Sequence, residues 1–158
     1  MPKATATQLR DEGWRVDQFG GALTPTEFTS YLTAVLSEAG AWAEHHIGSA
    51  AYSALPGAGY VFNLVARAEL CYSASILWRR RAAFFDAGIQ QDLQSPAYTE
   101  RREYLGHADQ MMDCAHSALA DALRAIGLPT DGLGADWSGM AVGSVETGPY
   151  PLAREVPA

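Results

Sequence analysis

The 158-residue sequence has little basic charge, few cysteines and no long apolar run. Lys3 is its only lysine, and 11 basic residues stand against 18 acidic ones, which gives a formal charge of −7. Such a surface repels nucleic acid, which disfavours a protein that grips phosphates. It leaves open a position close to DNA without tight binding.

Two further shortages narrow the class of protein. No stretch approaches the roughly 20 uncharged apolar residues needed to span a bilayer, and the start MPKATATQLRDEGW lacks a basic-then-apolar signal pattern. We therefore expect a soluble chain that is not secreted. Cys71 and Cys114 alone provide neither a disulfide framework nor a zinc site. We expect them to be two small buried thiols on helices.

With 48% hydrophobic residues, the chain has the composition of one globular domain with tails. Residues 1–23 are polar and contain glycine, and we expect an N-terminal extension there. Residues 24–128 are rich in helix signals and form the predicted helical domain. Residues 129–158 hold four prolines and five glycines, which is typical of an extended C-terminal arm.

The first predicted helix has clear ends. Thr24 is a candidate N-cap, Pro25 suits the first helical position, and Glu27 completes a capping box. Apolar and aromatic residues then recur at spacings of three and four, which indicates one buried helix face. Gly48 is the predicted C-terminal stop.

The second predicted helix follows a polar link over 49–59 and runs to about Phe85. Its apolar residues form two seams on different sides: Leu64, Cys71, Trp78 and Phe85, and then Leu70, Leu77 and Phe84. A helix that is apolar on more than one side is buried on more than one side. Either a further element of the chain or a neighbouring subunit is expected to cover it.

The third predicted helix begins at Ser95-Pro96 and runs to Ile126. Its apolar stripe repeats every seven residues and consists of Tyr98, Leu105, Met112, Leu119 and Ile126. Asp109 and His116 lie on this stripe, which predicts a register-fixing contact between helices or subunits. The fold prediction is mainly α: a bundle or hairpin of about three long helices with extended N- and C-terminal arms.

The sequence offers no catalytic, metal or cofactor motif. A di-iron bundle needs Glu-x-x-His pairs, and none occurs; Glu103 and His107 share a face but have no matching second pair. There is no Gly-x-Ser-x-Gly elbow and no Gly-x-x-x-x-Gly-Lys-Ser/Thr phosphate loop. We therefore expect a protein that is not an enzyme, without catalytic residues, bound metal or cofactor.

Two segments carry the predicted partner contacts. Arg79, Arg80 and Arg81 are either a solvated helix end or a docking patch for an acidic partner surface. A nucleic-acid site is the third interpretation and the least favoured, because few other Lys and Arg residues support it. The C-terminal arm is either a loose tail or a segment that orders against a partner. Its candidate contact residues, some of which hint at a short strand, are Trp137, Met140, Val142, Tyr150 and Leu152.

Residues 28–127 resemble the small head–tail connector (adaptor) proteins of tailed bacteriophages. Four features carry the likeness: the helix end Ala43-Glu44-His45-His46-Ile47-Gly48; the segment Ala68-Glu69-Leu70-Cys71 leading into Leu77-Trp78-Arg79-Arg80-Arg81-Ala82-Ala83; the helix opening Tyr98-x-x-Arg101-Arg102-x-Tyr104-Leu105; and the tail after that helix. None of these motifs has the specificity of a zinc signature. The first 23 residues have no counterpart in the family pattern.

The resemblance implies a structural virion protein that bridges the portal to the tail. It implies a homo-oligomeric ring of twelve subunits around the DNA channel, made in the host cytoplasm and placed at the head–tail junction of the virion. The implied partners are the portal protein, the tail completion or terminator proteins and the chain itself, with DNA passing nearby without specific binding and no membrane. Two alternatives remain open: a ferritin-like metal-binding bundle, and a cytosolic helical interaction protein.

Overall fold

The computed structural model describes residues 1–19, 24–86, 96–130 and 133. The elements are α1 (Ala6–Asp11), a 3-10 helix (Val16–Phe19), α2 (Pro25–Ile47), α3 (Ser49–Ser53), α4 (Tyr60–Asp86) and α5 (Pro96–Ala125). Within these described ranges there is no strand. The prediction of a mainly helical bundle with three long helices is confirmed.

The ends of the long helices follow the predicted signals. The Thr24 hydroxyl accepts a hydrogen bond from the Glu27 backbone N–H, and the Glu27 carboxylate accepts one from the Thr24 N–H. Gly48 ends α2 with φ at 88°, a left-handed value that favours glycine. Gly127 follows α5 with φ at 73°.

Helices α4 and α5 form an antiparallel hairpin. The face of α5 that packs on α4 is rich in alanine, and these small side chains let the two helices approach closely: Ala108, Ala115, Ala118 and Ala122. The predicted seven-residue stripe holds at Met112 and Leu119, which are buried, but Leu105 is 38% exposed. The stripe drifts off the interface because seven residues do not complete two turns of a straight helix.

A disulfide joins Cys71 of α4 to Cys114 of α5, with the two Cα atoms 5.9 Å apart. The expectation of two separate buried thiols was wrong. Both cysteines are half-buried and lie on facing sides of the hairpin. Their Cα separation is within the usual range for a disulfide, and this separation depends on how the helices are paired rather than on the local sequence.

The structure differs from the sequence prediction at the N-terminus. Residues 1–19 do not form an extended arm; they fold into α1 and the 3-10 helix and pack on α4. Leu9 is fully buried, and the Trp14 indole lies 5.0 Å from that of Trp78. Together with α2 and α5, this segment covers the several apolar sides of α4 within a single chain.

Two smaller differences concern segments expected to lack regular structure. The predicted link after Gly48 contains α3, which buries Tyr52. Beyond α5, Leu133 is buried in the apolar cluster that includes Ala43, Leu119 and Leu123. The packed part of the chain therefore extends past residue 128, the predicted end of the helical domain.

None of the helices that the structure describes combines the length and the apolar character that crossing a bilayer requires.

Candidate functional site

The three predicted docking arginines lie near the C-terminal end of α4, and each contacts a different group. The Arg79 guanidinium is 3.4 Å from the Asp109 carboxylate. Arg80 lies over the Tyr31 ring at 5.0 Å, and Arg81 over the Tyr104 ring at 4.5 Å. The patch is therefore not a row of equivalent solvated cations.

Aromatic rings surround two of these arginines. Trp78 stacks on Tyr104 with ring centres 5.4 Å apart, and Arg81 is also 5.5 Å from the Trp78 ring. We name the arginine–aromatic surface as Tyr31, Trp78, Arg80, Arg81 and Tyr104. Guanidinium groups over aromatic faces gain cation–π attraction, which holds them in place before any partner arrives.

The other predicted contact residues lie outside the part of the chain that the structure describes. They are Trp137, Met140, Val142, Tyr150 and Leu152. The structure therefore leaves their role as a prediction.

Asp109 and His116, the polar residues of the α5 stripe, both contact other helices, but the predicted register-fixing role does not fit Asp109. Asp109 pairs with Arg79 of α4, and the His116 ring packs edge-on against Trp42 of α2 at 5.8 Å. The Asp109–Arg79 pair is largely exposed, with side chains 67% and 43% accessible. An exposed pair of this kind contributes roughly 0–1 kcal/mol to stability, so it does little to fix the register of α5 against α4.

A cavity of about 410 Å³ opens between α2, α4 and α5. Its inner wall is formed by Ser75 and Ile76 of α4 and Met112 of α5. Ser75 and Met112 are buried and Ile76 is half-buried. The volume lies within the 300–1,000 Å³ typical of small-molecule sites.

Aromatic rings form another wall of the cavity. Trp42 stacks on Tyr72 at 4.6 Å with an angle of 18° between the ring planes. His46 and His116 both meet Trp42 edge-on, at 5.4 and 5.8 Å. Burial lowers the pKa of His116 below its usual value of 6.5, against a smaller opposing effect of Asp113, so the imidazole is neutral near pH 7.

Charged side chains lie at the rim. Glu38 and Arg79 both line the cavity, on α2 and α4. Burial raises the pKa of the Tyr72 phenol, the Glu38 carboxylate raises it further, and Arg79 opposes both. Tyr72 therefore stays a neutral hydroxyl in the field of a nearby anion and a nearby cation.

Ser75 is the unusual member of this site. Its side chain is fully buried, and its hydroxyl has no hydrogen-bond partner among the described residues. Ser73, two residues earlier on α4, is equally buried and equally without a partner, but it does not line the cavity. An unsatisfied buried hydroxyl costs about 1–3 kcal/mol.

Within the described part of the chain, no group of three or more His, Cys, Asp and Glu side chains is arranged to hold a metal ion. His107, one half of the Glu103/His107 pair, packs on Trp78 at 5.0 Å. Cys71 and Cys114 are occupied by their disulfide.

A second polar centre lies under the N-terminal segment. Glu69 is fully buried on α4, and its Oε2 accepts hydrogen bonds from the backbone N–H groups of Lys3 and Ala4 at 2.6 and 2.8 Å. Its Oε1 is joined to the Tyr52 hydroxyl at 2.6 Å. Burial raises the pKa of the Glu69 carboxyl, although these hydrogen bonds oppose the rise.

The sequence did not predict the cavity or the Glu69 centre. The cavity needs residues of α2, α4 and α5 that are up to 78 positions apart, as between Glu38 and His116. The available signal was the set of polar residues on otherwise apolar helix faces, namely Glu69, Ser75 and His116. Each of these residues has its contacts or its place in the cavity only through helix packing.

Comparison with protein-family models, with curated proteins and with solved structures finds no match for this chain. No relative therefore assigns a role to the cavity or to the arginine–aromatic surface. Their chemistry and position in the fold are the basis for the function proposed below.

Proposed function

We propose that this chain is a structural virion protein that bridges the portal to the tail as a ring around the DNA channel. The observation that carries the proposal is the arginine–aromatic surface near the end of α4. The resemblance of residues 28–127 to small phage connectors supports the same function. In this proposal the chain is not an enzyme.

The arginine–aromatic surface has the composition of a protein contact. Tyr, Trp and Arg are the residue types most enriched among side chains that dominate binding energy. Arg80 is exposed, whereas Arg81 is half-buried against the stacked rings of Trp78 and Tyr104. Because the aromatic rings order both guanidinium groups in advance, less entropy is lost when an acidic partner surface binds.

The remaining chemistry is compatible with a position beside DNA. The formal charge of −7 weakens attraction to the phosphate backbone, so DNA passes without specific binding. The proposed partners are the portal protein, the tail completion or terminator proteins and further copies of the chain in a twelve-membered ring. The C-terminal arm after Leu133 supplies the second proposed contact.

Two alternatives lead to different expectations. A ferritin-like protein requires a metal-binding group, and the described residues contain no set of three side chains that could hold an ion. A cytosolic helical interaction protein would use the same arginine–aromatic surface, but in a small complex without virion proteins. The partner and the oligomeric state distinguish these functions.

The experiment is purification of the tagged, full-length chain from phage-infected cells, followed by mass spectrometry and electron microscopy. Portal and tail proteins in the eluate, together with ring-shaped particles, are the expected result. A small complex without virion proteins would overturn the proposal in favour of the interaction protein. Iron at a fixed ratio to the chain, again without virion proteins, would overturn it in favour of the ferritin-like protein.

A matched pair of charge-reversal variants tests the surface itself. Arg80→Glu with Arg81→Glu should abolish portal capture while leaving the helical far-UV signal unchanged. The control is Arg67→Glu with Arg124→Glu, which makes the same change of charge at exposed positions outside the arginine–aromatic surface. Equal capture by the two double variants would exclude this surface as the contact.

A further inference from the structure

The disulfide lies on the same seam between α4 and α5 as part of the arginine–aromatic surface. Cys71 precedes Trp78 by seven residues on α4, and Cys114 follows His107 by seven residues on α5. The Trp78 and His107 rings are in contact, with their centres 5.0 Å apart. Seven residues make about two helical turns, or about 10 Å, so the disulfide and this ring pair are successive contacts along one side of the hairpin.

The arginine–aromatic surface depends on how the two helices are aligned, because both contribute to it. Trp78 and Arg81 belong to α4, whereas Tyr104 belongs to α5 and stacks on Trp78 at 5.4 Å. The Arg81 guanidinium lies over the Tyr104 ring at 4.5 Å. A displacement of one helix along the other would separate Tyr104 from both partners. Arg80 differs, because its ring contact is with Tyr31 of α2.

The other contacts near this seam do little to hold the two helices in register. The face of α5 that packs on α4 includes Ala108 and Ala115, whose methyl groups form only shallow ridges. The Arg79–Asp109 pair is exposed and stabilises little. The chain contains no third cysteine, so this disulfide is the only one that can join the helices.

We propose that the Cys71–Cys114 disulfide is a redox switch that controls the arginine–aromatic surface. In the oxidised state it holds Trp78 against Tyr104, so Arg81 is ordered on the two rings before a partner arrives. In the reduced state the helices shift at this seam, the ring stack loosens and Arg81 becomes mobile. Ordering Arg81 again on binding costs entropy, so the reduced chain binds an acidic partner surface more weakly.

The chemistry of the switch is thiol–disulfide exchange with a dithiol. Both cysteines are half-buried rather than enclosed in the core. One thiolate of the dithiol attacks a cysteine sulfur and forms a mixed disulfide, and its second thiol then displaces the protein. Two electrons pass to the protein, which gains two thiols, and the dithiol becomes a disulfide. Oxidised glutathione reverses the step and leaves as two reduced glutathione molecules.

The value of this switch rests on the proposed function, in which the chain is made in the host cytoplasm and becomes part of a released virion. Cytoplasmic thiols are kept reduced, whereas disulfides persist at virion surfaces. The chain is therefore reduced during assembly and oxidised after release. Oxidation then tightens its contact with the partner in the free virion.

The decisive experiment is NMR of the isolated full-length chain before and after reduction with dithiothreitol, well below the Tm. Protons over an aromatic face resonate upfield, so the side-chain CH2 protons of Arg80 and Arg81 report their contacts with Tyr31 and Tyr104. Reduction, verified by intact mass, should move the Arg81 shifts towards those of an exposed arginine. The Arg80 shifts are the internal control and should stay unchanged. Oxidised glutathione should restore the original spectrum.

A variant with Cys71→Ser and Cys114→Ser is the matched control. It should show the reduced-state Arg81 shifts with and without dithiothreitol. Arg81 shifts that survive complete reduction would overturn the proposal. So would a disulfide that resists dithiothreitol until the chain unfolds. Loss of the Arg80 and Arg81 shifts together with the far-UV signal would show global unfolding and would also overturn a local switch.

Binding is measured separately, with purified portal protein and the tagged chain in its oxidised and reduced states. The oxidised chain should bind about 3- to 10-fold more tightly. Arg80→Glu with Arg81→Glu should remove binding in both states. Equal affinities of the two states would overturn control of the surface by the disulfide. Absence of binding in both states would contradict the proposed function, whereas the NMR shifts decide independently whether the disulfide orders Arg81.

Discussion

The Tyr52 hydroxyl lies 2.6 Å from Oε1 of the buried Glu69 side chain, and this pair anchors the N-terminal segment. The same hydroxyl donates to the Met1 carbonyl oxygen at 3.1 Å. The Tyr52 hydroxyl is the donor to Oε1, while Oε2 accepts from the backbone N–H groups of Lys3 and Ala4. The buried Glu69 side chain therefore accepts three hydrogen bonds, which tie α4 to α3 and to the first residues of the chain.

Glu69 should make the stability of the protein depend on pH. Burial raises its folded-state pKa above the ordinary value of 4.5, so the carboxyl binds its proton more tightly when folded. The resulting stabilisation is complete below the unfolded pKa and is lost as pH rises through the folded pKa. Urea unfolding at a series of pH values should show this decline.

Glu69→Gln should flatten that part of the profile, because the amide does not titrate and its oxygen can still accept the hydrogen bond from the Tyr52 hydroxyl. Glu103→Gln, at an exposed position on α5, should leave the profile unchanged. A Glu69→Gln curve parallel to that of the parent would show that Glu69 does not have a raised folded-state pKa.

Leu9 should contribute to global stability although it lies in the segment predicted to be an extension. Its side chain is fully buried in the core that includes Leu32 and Leu77. Leu9→Ala should therefore lower the free energy of unfolding by about 2–5 kcal/mol. Thr7→Ala, at an exposed position on the same helix, is the control and should be close to neutral. A neutral Leu9→Ala in denaturant unfolding would mean that residues 1–19 do not pack on α4.

The Cys71–Cys114 disulfide should stabilise the α4–α5 hairpin. It joins residues 43 positions apart. Restricting a loop of this length in the unfolded chain adds about 2–4 kcal/mol to the free energy of unfolding. Dithiothreitol should lower the Tm of the parent protein and leave a variant with both cysteines changed to serine unaffected. Intact mass under non-reducing conditions tests the bond directly, since two free thiols would give the mass of the reduced chain.

Two glycines in long helices should respond differently to alanine. A Cβ at Gly106 on α5 would meet no atom within 4 Å, so Gly106→Ala should stabilise by up to about 1 kcal/mol through helix propensity. A Cβ at Gly40 on α2 would lie 3.1 Å from two carbon atoms of Pro2. Gly40→Ala should therefore raise the free energy of unfolding by less than Gly106→Ala does, or should lower it. Equal gains in thermal unfolding would show that Pro2 does not pack on α2.

The C-terminal arm should be separable from the helical fold once Leu133 is kept. Deleting 134–158 should leave the far-UV signal and the Tm unchanged but abolish capture of the portal protein. Deleting 129–158 should also lower the Tm, because Leu133 is buried in the apolar cluster that includes Leu119 and Leu123. Unchanged portal capture after either deletion would exclude the arm as a contact.

The sequence determined the long helices because their signals are local. Thr24 and Glu27 form the predicted capping box, Gly48 and Gly127 follow the helices where left-handed φ is needed, and Pro96 begins α5. Each signal acts within one turn of backbone and does not depend on the rest of the fold. The excess of apolar residues on α4 also correctly indicated burial on several sides.

Only the tertiary structure decided what covers α4 and which polar residues meet. Leu9 and Trp14 are too few to indicate a buried segment, and they bury their side chains only once α4 offers an apolar face. The disulfide and the cavity depend on antiparallel pairing of helices at separations of tens of residues. Helical periodicity assigns residues to faces, but the packing of one helix against another sets the distances that a disulfide or a cavity requires.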